Sequence, residues 1–155
     1  MKTISAPCHA ESSNGVDLKY VLAFSFLPLI HRMVDKHGWE EKQAEACFED
    51  TKRYLYLCAT NPTPVAPPQK IDEMWHNFIL FTFDYEEFCL TRFGRFIHHR
   101  PRQRGESLEG KVLVGASVAL STFGTVSEYW VENEGPSNDC GSCMSCKSCN
   151  SCSSN

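Results

Sequence analysis

The chain has 155 residues and a formal net charge of -4, with 42% hydrophobic and 22% charged residues. That length suits one domain plus a tail, and the apolar share is enough for a packed core. The acidic balance excludes a general binder of phosphate backbones, which needs a clustered positive footprint. The local group Arg95, Arg100, Arg102 and Arg104, beside His98 and His99, reads as a solvated loop, so no nucleic-acid partner is expected.

Residues 1–15 are polar and read as a flexible N-terminus. The apolar run from Val21 to Ile30 starts late, follows Glu11 and Asp17, is interrupted by Pro28, and leads into His31, Arg32 and Asp35. It lacks the charge order and small-residue cleavage site of a signal peptide, and it is too short to span a bilayer. The expectation is one buried helix from Asp17 to about Lys36, bent at Pro28 because proline removes an intrahelical donor, and ended by Gly38. No membrane partner is expected, and the cytoplasm is the default location.

Trp39 to about Ala59 carries the clearest helical pattern. Ala44, Cys47, Phe48, Thr51, Tyr54, Leu55 and Cys58 recur at helical spacing and form one apolar stripe. Cys47 and Cys58 therefore face the core, where cysteine acts as a small apolar residue. Glu49 and Arg53 are four apart, in the order that favours an ion pair. The proline-rich segment Asn61–Pro68 is a stiff extended connector. A helix follows from about Lys70, with Ile71, Trp75 and Phe78 on one face and Asp72 and Glu73 in the first turn, where carboxylates suit the helix dipole. Thr82 or Asp84 is a candidate N-cap for another helix, Tyr85 to Phe93, stopped by Gly94. Arg95 to Pro101 is extended. From Gly105 to Glu134, Leu108, Val112, Gly115, Ala116, Ala119, Leu120 and Phe123 fit a helical stripe. Val112–Val114 and Thr125–Val126 also permit short strands, and a helix is the preferred reading.

After Glu134 the composition turns to Gly, Ser, Asn and Cys, with almost no side chain able to build a core. The expected fold is mostly α: a compact small helical bundle over residues 16–134, with a disordered Cys-rich tail over residues 135–155. Within that tail Cys140, Cys143, Cys146, Cys149 and Cys152 form a strict three-residue repeat. Each Cys-x-x-Cys pair offers two thiolates to one tetrahedral ion, and thiolates select soft or borderline ions such as Zn²⁺ and Cu(I). An iron–sulfur cluster ranks lower, since nothing apolar surrounds these thiols to shield one. The bland alternative is a solubilising tail with incidental thiols; the strict register of five cysteines argues against it.

A further group combines Asp72, His76, Cys89, His98 and His99. Asp72 and His76 are four apart on one helix face, where a carboxylate can orient an imidazole. His98 and His99 are neighbours on an extended segment and point opposite ways, so at most one of them faces His76. The functional reading is a zinc or iron site with an open position. The structural reading makes Trp75 and His76 an amphipathic core pair, with His98 or His99 capping a helix or stacking on a ring. A third reading makes Cys89 a nucleophile activated by His76 or His98.

These motifs also carry a resemblance. Asp72–Leu80 with its Trp-His pair, Tyr85-x-x-Phe88-Cys89, and His98-His99-x-Pro101 together resemble a family of small uncharacterised bacterial proteins, distantly similar to the plant glycine-rich-domain proteins. The likeness covers roughly Phe24 to Pro101 and implies a shared architecture, not an activity. The leading expectation is a non-catalytic metal-binding or metal-handling protein. The alternatives are a protein-interaction module that docks a partner through the Trp75/Phe78 helix and the arginine-rich loop, and a thiol- or metal-dependent enzyme using Cys89, His76 and His98.

Overall fold

The computed structural model describes residues 15–61, 65–101, 103–107 and 109–131. Among them are six α-helices: α1 (Leu18–Leu22), α2 (Leu27–His37), α3 (Glu41–Thr60), α4 (Gln69–Ile79), α5 (Thr82–Phe93) and α6 (Glu109–Phe123), followed by a 3₁₀ turn at Glu128–Trp130. The expected helical bundle is therefore present, and the alternative strands near Val112 and Thr125 do not form. Residues 1–14, the end of the expected domain at residue 134 and the cysteine tail lie outside the described residues.

The first helical stretch differs from its expectation. Asp17 caps α1, its carboxylate accepting from the Lys19 N–H at 2.9 Å, and the chain then leaves the helix at Ala23. Pro28 falls in the first turn of α2, where the missing N–H has no partner to lose and the fixed φ suits the helix. Proline thus opens a new helix here instead of bending an old one. The break is held from outside by Lys52 of α3, whose Nζ donates to the carbonyl oxygens of Leu22 at 2.7 Å and Phe24 at 2.8 Å. Lys52 also pairs with Glu49 at 2.6 Å, and burial pushes its ammonium pKa down. Glu49 is consequently not the partner of Arg53; Arg53 pairs with Asp50 at 2.9 Å.

α3 is the central element. Ala44, Cys47, Phe48, Thr51, Tyr54 and Leu55 of the expected stripe are buried, and so are Asp50, Lys52 and Leu57. The helix is enclosed on several sides, by α1, α2, α4, α6 and the 3₁₀ turn. α4 buries Ile71, Met74, Trp75 and Phe78. α5 begins at Thr82, earlier than expected, with Phe81 at the N-cap and no side-chain cap; neither Thr82 nor Asp84 takes that role. Gly38 and Gly94 end α2 and α5 in the left-handed region, at φ 69° and 70°, as glycine alone does without strain.

An aromatic cluster of Phe24, Phe26, Phe48, Phe78 and Phe88 fills the centre. Trp75 and Phe78 belong to this core, at 4% and 0% exposure, so they do not form the docking face of the interaction-module reading. On α6, Gly115 lies against the connector: a Cβ there would meet Ala66 O and Val65 Cβ at 3.4 Å. Trp130 returns to the core beside Tyr54 and Phe123, each ring at 6.4 Å, and the Ser127 hydroxyl donates to the buried Asp50 carboxylate. No helix among the described residues is long and apolar enough to cross a membrane.

Candidate metal centre

Successive residues of α4 divide the inside of the fold from its surface. Trp75 points into the core and His76 points outward, one turn after Asp72. His76 Nδ1 is 2.7 Å from the Asp72 carbonyl oxygen and 3.3 Å from its carboxylate. With Nδ1–H donating to the carbonyl, Nε2 is the nitrogen left for a ligand, the arrangement usual for metal-binding histidines.

The second imidazole arrives from 27 residues away. The Trp75 indole N–H donates to the Tyr85 hydroxyl at 2.9 Å, and that hydroxyl donates to the Ile97 carbonyl at 2.6 Å. This buried relay fixes the extended segment after α5 against α4. Ile97 faces inward, and alternation along an extended chain sends His99 the same way and His98 the other. The His99 side chain is 8% exposed, its ring lies 4.4 Å from Trp75 at 72°, and Nε2 is 2.8 Å from Asp72 Oδ1. The His76 and His99 rings are 4.1 Å apart. His98 lies against Phe96, the ring centroids 4.8 Å apart and tilted by 54°, and is exposed.

Asp72, His76 and His99 therefore bring one ligand atom each to within 4.8 Å of one another. His98 and Cys89 are not part of this group. Cys89 lies at 0% exposure on the inner side of α5. Burial pushes its thiol pKa up, against smaller opposing effects of the Ile97 backbone and the Tyr85 hydroxyl. A reactive thiolate needs the reverse environment, partly exposed and electropositive. Burial and the nearby Asp50 push the Cys47 thiol up to about 12, and burial pushes Cys58 up to about 11. Cys140, Cys143, Cys146, Cys149 and Cys152 fall outside the described residues.

A neighbouring polar network escaped the sequence reading. Asn77, buried on the α2 side of α4, accepts at Oδ1 from Arg32 Nε at 2.8 Å and from His37 Nε2 at 3.0 Å, and donates to the Glu73 carbonyl at 3.0 Å. His37 Nδ1 also lies 3.3 Å from Glu73 Oε1. The available signal was that Glu73 and Asn77 repeat the four-residue spacing of Asp72 and His76. The network seats α2 on α4 beside the histidine cluster.

A model of the UCP032817-like family matches residues 17–110. The chain belongs to this family. The span shared with UCP032817-like proteins runs from the cap of α1 into the first turn of α6, so Asp72, His76 and His99 lie inside it and the five tail cysteines lie beyond it. No curated protein and no solved structure matches the chain significantly.

Proposed function

We propose that this UCP032817-like protein is a cytosolic, non-catalytic metal-binding or metal-handling protein. Asp72, His76 and His99 hold a borderline divalent ion such as Zn²⁺, and the cysteine repeat binds Zn²⁺ or Cu(I). The observation that carries the domain site is the convergence of the three donors within 4.8 Å, with His99 held by the Trp75–Tyr85–Ile97 relay. Two imidazoles and a carboxylate are a donor set that zinc accepts, and ligands of one tetrahedral zinc lie about 3.3 Å apart, so a modest closing of the exposed His76 completes the fit. An ion here leaves a coordination position on the solvent side. The thiol-enzyme alternative loses support because Cys89 is in the core. The interaction-module alternative would have to use other residues than Trp75 and Phe78; Leu80 and Phe83, 62% and 86% exposed at the α4–α5 turn, are what favours it.

The test is zinc titration and element analysis of the untagged full-length chain, compared with a variant whose five tail cysteines are serine. The five-serine variant keeps one zinc, and adding His76→Ala weakens that binding by at least about tenfold, as loss of a directly ligating group exceeds the effect of a supporting one. A five-serine variant without zinc refutes the domain site.

A further inference from the structure

The inner side of α5 is well covered. Tyr85, Phe88, Cys89 and Phe93 are buried, Phe88 lies 4.8 Å from Phe24, and Phe81, at the N-cap, lies 5.0 Å from Phe26. The outer side lacks such cover. Phe83 and Leu90 are 86% and 51% exposed, and Glu86 and Glu87 between them are exposed as well. These four residues stand at i, i+3, i+4 and i+7, the spacing with which one helix packs on another. Leu80, exposed at the end of α4, adds a third apolar side chain at the head of α5. We infer that this face docks a basic amphipathic helix of another protein. The partner's apolar side chains meet Leu80, Phe83 and Leu90, and its lysine or arginine side chains meet Glu86 and Glu87. The inference is independent of the reading of Asp72, His76 and His99 as metal ligands.

Apolar side chains exposed singly are ordinary on a protein surface. Three on one short stretch, with carboxylates between them, match the layout of a helix-docking face. Charge then selects the occupant. Asp84, Glu86 and Glu87 form no ion pair among the described residues. Asp84 suits the first turn of α5, where the helix dipole favours a carboxylate; Glu86 and Glu87 lie beyond that turn. The nearest cations in the chain are engaged elsewhere. The Arg92 guanidinium lies over the Tyr20 ring at 3.7 Å, and Arg95 donates to the Cys58 and Ala59 carbonyls at 3.0 and 3.2 Å. The outer face therefore holds uncompensated negative charge beside its apolar anchors. A second copy of the chain, at net charge -4, sets the same carboxylates against their like when the face pairs with itself. An anionic lipid surface is repelled for the same reason. A basic helix is attracted by both halves of the face, since lysine stems cover apolar surface while their heads reach carboxylates. From Phe83 to Leu90 the face runs about 10 Å, so the partner offers about two turns, and the contact is small enough to be weak and transient.

Fluorescence anisotropy of a labelled peptide of about 14 residues, roughly four helical turns, measures the docking on the full untagged chain. The peptide is built from leucine and lysine with the leucines on one helix face. Binding is micromolar and weakens with added salt. A peptide of the same composition with the leucines scattered around the helix binds at least about tenfold more weakly. Phe83→Ala and Glu87→Lys each weaken binding at least about tenfold. Glu41→Lys, the same charge change at an exposed position of α3, shifts it less than about twofold. All three substitutions are at exposed positions, so the core is untouched. Full affinity in Phe83→Ala, equal weakening by Glu87→Lys and Glu41→Lys, or no binding by the unaltered chain overturns the docking. Sedimentation that shows dimers abolished by Phe83→Ala gives the face to a second copy. Adsorption to phosphatidylcholine–phosphatidylserine vesicles that Phe83→Ala abolishes gives it to a membrane. Either result also overturns the basic partner.

Discussion

Tyr85→Phe removes one oxygen atom and tests the element that positions the site. The hydroxyl accepts from Trp75 Nε1 and donates to Ile97 O, and Tyr85 is 1% exposed. Phenylalanine keeps the ring contacts with Phe78 at 5.1 Å and Phe96 at 5.2 Å, so the change in packing is small. What remains is a buried indole N–H and a buried carbonyl without their partner. Each such group costs about 1–3 kcal/mol, which gives a loss of about 2–6 kcal/mol and a fall in melting temperature on the order of 10 °C or more. Urea denaturation followed by far-UV circular dichroism measures it. In a Trp75→Phe background the indole donor is already gone, so the same substitution costs about 1 kcal/mol less, a coupling that a double-mutant cycle isolates. His99 also loses its fixed approach to Asp72, and zinc affinity falls about tenfold, as for loss of an orienting partner. A stability change under about 0.5 kcal/mol would refute the relay and, with it, the reason given for the position of His99.

Three further outcomes follow from the same geometry. The native state holds the Cys47 proton more tightly than the unfolded chain does, with the pKa moved from 9.0 to about 12. Its contribution is therefore complete below pH 9 and is lost as pH rises from 9 towards 12, by about 4 kcal/mol at the upper end; urea melts between pH 8 and 11 will show a steeper loss in the unaltered chain than in Cys47→Ala. Lys52→Met leaves the Leu22 and Phe24 carbonyls without their donor and destabilises by about 2–4 kcal/mol; unchanged denaturation midpoints would show that water caps the α1–α2 break. In the five-serine variant at pH 8, Cys47 and Cys89 resist thiol-labelling reagents until the protein is denatured, because both are buried with raised pKa values; mass spectrometry of the labelled native protein detecting either modified residue would contradict this.

What the sequence by itself determined was local. Period, cap and stop signals act within a few residues, so α3 and α4, the left-handed stops at Gly38 and Gly94, and the burial of Trp75 were all legible. So was the pairing of Asp72 with His76, since four residues apart on a helix is a fixed geometry. The rest depended on partners far along the chain. Pro28 carries the same local signal whether it bends a helix or opens one, and Lys52, at 1% exposure, settled it by reaching two carbonyls some thirty residues earlier. That reach also took Glu49 from Arg53. His98 and His99 are equivalent to any rule of spacing; the difference between them is the face that Ile97 turns inward, and Tyr85, held by Trp75, decides that face. A carboxylate and two imidazoles meet here because the buried hydroxyl needs both a donor and an acceptor, a requirement met only once α4, α5 and the segment after it are packed together.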